Sequence, residues 1–489
     1  MEKSKLVNIL KTFSKSELKE FEKFVSSPFF NKGRNFLPFL QQLTKSHPVY
    51  DSEKIKPEYV YSKTFPGKKF NKQIVWNQTS ALLNLAEEYL SHNALRKNKF
   101  SKLKSLALEF YDRGLGSYYL KSIKEMEKVT LRGGIDQDYL IRRVNVENEM
   151  ITFHQLEDKQ HLLCQNVLEK GKWLIVEFMH DIAGIICDLH SNRFMYNAVY
   201  DINLPYEFVN NLELVKIIEF AKNKNYQYTW LLEVYYHSMM TVIEREKTSH
   251  YFKLKSLFEE FSSSFSDSEK NKILTTLSNY CSLRINDGDD SFRRELFEIG
   301  RIELREGLAF PDKKSSKITF IRMLRSAVFF DEIQWAKEFV EEYICKLPVS
   351  HQRSMYALAY AFICFRLKEH DKVLENLNKV KFIDVRDKLN VKSLLLRTYF
   401  EMHDINSLLY QIDSTRHFLN SNPSINESSK ANFMLFTAYI NRFIGVMEKN
   451  EKLELELFRK SVENEKTLIN KGWFYEQIDE LLKTFSRTS

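Results

Sequence analysis

Thirteen glycines and nine prolines in 489 residues leave this chain with few ready-made turns; that is under half the usual combined share of about 12%. Sandwiches, barrels and alternating strand-helix folds each need a Gly- or Pro-rich turn every dozen residues or so. The chain is therefore expected to be all-α. Hydrophobic residues make up 43% of it and charged residues 28%, a balance that excludes a disordered polymer. Its 38 Phe, 24 Tyr and 5 Trp supply large anchors for a packed core.

The N-terminal stretch reads as short capped helices. Ser14 and Glu17 form a Ser-x-x-Glu capping box, with Phe13 and Leu18 as the apolar staple beside it, and the helix they open stops at Pro28. A second helix is expected from Asn35 to about Lys45, with Pro38 tolerated in its first turn, and Pro57 stands near the start of another. After the Pro66-Gly67 turn, Asn71 caps a helix whose Ile74, Ala81, Leu82, Leu85 and Tyr89 share one face. These pieces make a basic helical module over residues 1–100. Residues 101–314 read as long helical hairpins, interrupted at Gly114 to Gly116, Gly133-Gly134 and Gly171, with a second capping box at Ser266 and Glu269.

Residues 315–489 carry a repeat. An apolar stripe of Tyr356, Ala359, Tyr360, Ile363 and Leu367 runs into the turn Lys368-Glu369-His370-Asp371, and a similar stripe ending at Phe400 runs into Glu401-Met402-His403-Asp404, 33 residues on. That interval is close to the tetratricopeptide period. Phe330 to Phe339, with Trp335 and Ala336, looks like a looser preceding unit. A hairpin of this kind cannot bury both faces by itself; stacking on its neighbours completes the core and gives a helical-hairpin solenoid with a concave surface.

Several stretches together resemble an uncharacterised family of bacterial helical-repeat proteins. They are Phe13-Ser14-Lys15-Ser16-Glu17-Leu18-Lys19 with Phe21-Glu22-Lys23-Phe24, Ser27-Pro28-Phe29-Phe30-Asn31-Lys32, Phe65-Pro66-Gly67-Lys68-Lys69-Phe70-Asn71, and Trp335-Ala336-Lys337-Glu338-Phe339. The resemblance implies a helical N-terminal module followed by tetratricopeptide-like repeats, and brings no activity with it. Thr64 to Gly67 with the helix from Asn71 to Leu90 is also similar to the recognition-helix region of bacterial regulators that place a winged helix ahead of such repeats. Against that likeness, no Arg lies between Arg34 and Arg96, and residues 92–105 read as helix where a wing would stand.

The formal net charge of +8 is uneven. Residues 1–100 carry 18 Lys and Arg against 9 Asp and Glu, while the remainder carries 55 against 56. A basic segment on a neutral body could meet nucleic acid, an anionic surface or an acidic protein, although solvated lysines are the plainer reading. The five cysteines form no CxxC pair, and neither a signal-peptide core nor an 18-residue apolar run is present, so a cytoplasmic protein without membrane insertion is expected.

Chemistry is sparse. Phosphate-loop, dinucleotide, zinc-protease and nucleophile-elbow motifs are absent, so no catalytic residue and no cofactor is assigned. His161, Cys164, Cys187 and His190 include zinc-type ligands, but a hairpin folding back at Gly171 would level only His161, Cys164 and His180; no metal ligand is assigned. Asn286 to Asp290 reads as a capped turn, and the five tryptophans as packing. The expected function is non-catalytic: a scaffold or adaptor that holds a segment of a protein partner on its repeat surface. Lys68, Lys69 and Lys72 are candidate anion contacts at a helix start. Tyr356, Tyr360 and Arg397 are candidates on the inner helices, each Tyr being expected to be buried. The alternative is a nucleic-acid-binding regulator that uses the basic module.

Overall fold

The structure is a computed structural model, and it describes the chain except residues 1, 3, 51–52, 197, 201–202, 311–315, 382–383, 450 and 488–489. Among the described residues it contains twenty-five α-helices, three short 3-10 turns and no strand. The chain is all-α. The boundary expected at 314/315 falls outside the described residues. No described helix is long and apolar enough to cross a membrane.

Contacts sort the chain into two units, residues 1–132 with 142–169, and residues 133–141 with 170–489. In the first unit, Lys5–Thr12, Lys15–Ser26, Leu37–Thr44, Pro57–Thr64 and Lys72–Lys97 enclose a core that includes Leu6, Phe21, Leu40, Val60, Leu82 and Tyr89. The capping box is complete: Glu17 N donates to the Ser14 hydroxyl and Ser14 N to the Glu17 carboxylate. Phe13 and Leu18 are both buried beside it. Asn71 accepts from the amides of Gln73 and Ile74, as its position ahead of Lys72–Lys97 requires. That helix is followed directly by Lys99–Asp112, so no wing hairpin stands there. A second core gathers Phe100, Tyr119, Ile123, Met126, Val146 and Phe153. The Tyr119 hydroxyl, buried with them, donates to Glu149 at 2.7 Å.

The interruption expected at Gly171 does not occur. Gly171 and Gly184 both lie inside one helix, Gln160–Tyr196. An interior glycine costs only about 1 kcal/mol relative to alanine. In the second unit Trp173, Val176, Met179, Ile182 and Ile186 bury one side of this helix, and that burial outweighs the local cost. Gly134 does punctuate the chain. A Cβ there would lie 2.4 Å from the backbone nitrogen of Ser266, so only glycine allows the bridge of Ile135 to Phe265. Ser266 caps Asp267–Asn286 by accepting from Glu269 N. The expected reciprocal bond is absent: the Glu269 carboxylate accepts instead from His180 Nε2, at 3.3 Å.

Toward the C-terminus successive hairpins close alike. Ser316–Phe329 turns into Ile333–Tyr343, Val349–Arg366 into His370–Asn378, and Val385–Glu401 into Ile405–Ser421. Each turn holds one non-glycine residue with positive φ: Asp331 at 58°, Lys368 at 60° and His403 at 57°. In each, the next amide donates to a carbonyl five residues back, Glu332 to Ala327, Glu369 to Cys364 and Asp404 to Tyr399, at 2.9, 2.9 and 3.0 Å. This is the Schellman closure. It corrects the register read from sequence: the His-Asp pairs at 370 and 403 match in letters, but Lys368 is the structural counterpart of His403. The opening helices also stack, Ser316–Phe329 on Val349–Arg366 and that helix on Val385–Glu401. Leu324, Leu358 and Leu394 are fully buried between them, each contributing about 2 kcal/mol of apolar transfer.

Candidate binding surface

Phe362 and Phe365 are three residues apart on Val349–Arg366 and so share a face of that helix. A guanidinium approaches that face from each neighbouring opening helix. Arg325 of Ser316–Phe329 lies with its Cζ 5.9 Å from the Phe362 ring centroid, and Arg397 of Val385–Glu401 lies 4.7 Å from that of Phe365. Asn390, two turns before Arg397, accepts from Arg325 Nη1 at 3.4 Å, while Arg397 Nε donates to the Ser393 carbonyl at 3.3 Å. Neither guanidinium makes an ion pair with a carboxylate among the described residues. Burial, and secondarily the charge of Arg293, push Arg325 down to about 10. Burial and then Arg325 push Arg397 to about 10, against the opposing pull of Glu401 and Glu476. Arg325 is nonetheless open to solvent. Both groups stay charged at neutral pH.

Of the residues singled out from sequence, Arg397 lies in this cluster, and Tyr356 and Tyr360 lie on another face of Val349–Arg366. The tyrosines are not buried as expected: Tyr356 is 38% exposed and Tyr360 is half-buried. Their rings stack 4.6 Å apart and both hydroxyls donate to Glu341 of Ile333–Tyr343, at 2.8 and 2.9 Å. Tyr360 and Phe365 are about 140° apart around the helix, so the tyrosine pair and the arginine pair occupy different faces. Arg325 was missed. Its letter context is ordinary, and only the pairing of helices places it across Phe362.

Lys68, Lys69 and Lys72 are exposed in the first unit, and no described carboxylate pairs with them. Gly67 has φ of 76°, as the third residue of a type II turn does. The helix start beside them is already occupied, since the Asn71 carboxamide takes the amides an anion would use. Trp76, assigned to packing from sequence, is 64% exposed and stands one turn from Lys72. Trp173 and Trp473 are buried as expected.

The zinc-type residues do not converge. Gln160–Tyr196 carries His161, Cys164, His180, Cys187 and His190 along one continuous helix, without the fold-back a shared ion needs. Among the described residues no three His, Cys, Asp or Glu side chains group as metal ligands. His180 is buried and satisfied by Asp181 at 2.7 Å and Glu269 at 3.3 Å. At Asn286 to Asp290, the Asp289 carboxylate accepts from Arg284 and from the Ser291 amide and hydroxyl, and Asp290 accepts from Arg293. Those carboxylates serve capping and ion pairing. Comparison with protein-family models, with curated proteins and with solved structures finds no match to the chain.

Proposed function

We propose that the chain is a non-catalytic adaptor that holds a segment of a partner protein on the opening helices of its C-terminal hairpins. One observation carries this reading: a patch of Arg325, Phe362, Phe365, Asn390 and Arg397 crosses three successive opening helices, and its cations are not consumed by ion pairs. A bound segment needs polar groups spread over several hairpins, and here the rings back the cations, Phe362 being buried and Phe365 half-buried. The same proposal takes the chain to be a helical-repeat protein of the kind its sequence resembles, working in the cytoplasm. The test is photo-crosslinking in the native cell. A benzoylphenylalanine at position 365 is expected to capture a defined protein that the same probe at Tyr410, an exposed residue of Ile405–Ser421, does not. Equal capture at both positions, or none, rejects the adaptor reading.

A second reading, a regulator that contacts nucleic acid through residues 1–100, is favoured by the exposed Trp76 beside Lys72, an aromatic face and a cation on one helix turn. It requires salt-dependent binding of DNA or RNA by the full chain that weakens when Lys68, Lys69 and Lys72 are changed together to Ala. No binding at low salt removes it.

A further inference from the structure

We infer that the arginine pair Arg325 and Arg397 is a recognition site for an acidic peptide segment, with each guanidinium taking one carboxylate of the partner. The inference rests on the adaptor reading and adds the chemistry of what is held.

The geometry sets the argument. Both guanidinium groups approach one face of Val349–Arg366, against rings three residues apart. A ring behind a guanidinium takes up its apolar face and leaves the edge N–H groups directed outward, where they match the two oxygens of a carboxylate. The protein's own acceptors do not saturate these edges: Arg325 has the Asn390 carboxamide oxygen at 3.4 Å, and Arg397 has the Ser393 carbonyl on its Nε, with its terminal nitrogens unengaged by any described carboxylate. Of the other arginines in this unit some are neutralised, while Arg353, Arg386, Arg416 and Arg442 make no ion pair with a described carboxylate. Arg322 pairs with Glu303, Arg294 and Arg301 with Glu332, and Arg366 with Asp331 and Glu476. What sets these two apart is that they flank one helix face: Arg397 is half-buried without an ion pair, held down by burial and by the charge of Arg325, and an incoming carboxylate would relieve that cost, while the exposed Arg325 edge is open to a second one.

The surroundings select a peptide over a nucleic acid. Beyond residue 100 the chain carries 55 cationic and 56 anionic side chains, so there is no broad positive field to hold a phosphate backbone. Glu401 and Glu476 lie near enough to act on Arg397. They would repel a continuous polyanion, whereas isolated carboxylates on an otherwise apolar or neutral segment can seat on the two arginines and leave the glutamates facing neutral residues.

The test titrates the full-length chain, near physiological salt, with three fluorescein-labelled probes. One is a 12-residue peptide with Glu at every second position and Leu and Ser between, one is its Gln counterpart, and one is a 12-nucleotide single strand. The Glu peptide is expected to bind in the micromolar range and the Gln peptide at least about tenfold more weakly. Arg325→Gln and Arg397→Gln should each weaken the Glu peptide about tenfold or more with an unchanged melting temperature, while Lys346→Gln, at an exposed turn lysine, leaves it unchanged. Arg325→Lys, which keeps charge and loses the fork, should fall between. Equal binding of the Gln peptide, indifference to both arginine variants, tighter binding of the single strand at these residues, or no peptide binding below about 1 mM overturns the inference. If position 365 still crosslinks a partner in that case, the adaptor reading stands and only its acidic ligand is rejected.

Discussion

The His237 and His250 imidazoles of the second unit meet Nδ1 to Nδ1 at 2.9 Å, and His250 Nε2 donates to Glu244 at 2.8 Å. Burial first, and then the charge of His250, push His237 down to about 4. An unfolded histidine titrates near 6.5. Between those values the unfolded chain binds a proton that the fold refuses, so stability falls as pH drops from about 6.5 toward 4. His180 has the opposite sign. Burial alone would depress it, but its bonds to Glu269 and Asp181 outweigh burial and hold it above its ordinary value. Its stabilisation is complete below about 6.5 and is lost as pH rises through the raised value. His237→Asn is therefore expected to lose less stability than wild type between pH 7 and 4.5, by about 1–2 kcal/mol, and His180→Asn to lose more. Urea midpoints across that range measure both; parallel profiles for the three proteins would contradict the assignment. At this scale the caps at Ser14 and Asn71 were legible, because a cap is a relation between residues three positions apart. Arg325 was not, because its partner Asn390 is 65 residues away.

At the level of the helical element, the shortage of glycine is met by placing ordinary residues in the left-handed conformation. Asp331, Lys368 and His403 do so at three hairpin turns, and Asn225 does so after Leu214–Asn223. An L-residue pays roughly 1–2 kcal/mol for that conformation. The side chain can offset it: Asp331 pairs with Arg366, and Lys368 with Glu401. His403 is exposed and has no such pairing among the described residues. His403→Gly is thus expected to stabilise the protein by about 0.5–1 kcal/mol, read as a raised melting temperature, whereas Lys368→Gly gains less because its ion pair is lost. A fall in melting temperature for His403→Gly would show that its side chain supports the turn. The elements themselves were largely readable, since their apolar faces recur at helical spacing. The error at Gly171 came from treating a glycine as a stop when the burial of Trp173, Val176 and Met179 decides the matter.

For the molecule as a whole, the two units carry their tryptophans unequally. Trp173, Trp230, Trp335 and Trp473 lie in the second unit, with Trp173 and Trp473 buried; the first holds only Trp76, 64% exposed. Tryptophan fluorescence should therefore follow the unfolding of residues 170–489, while far-ultraviolet circular dichroism follows helix in both units. The urea transitions by the two probes are expected not to coincide. Superimposable curves would mean that the units unfold as one cooperative body.

The sequence by itself determined that this chain is helical and where many of its helices begin. Both follow from local rules, the scarcity of turn residues, the capping residues and the spacing of apolar side chains, each confined to a few consecutive positions. The tertiary structure decided which cations stay unpaired, which face Tyr356 and Tyr360 join, and where one hairpin corresponds to the next. Those properties depend on which helix lies beside which, and that is set by burial and electrostatics summed over residues far apart in the chain.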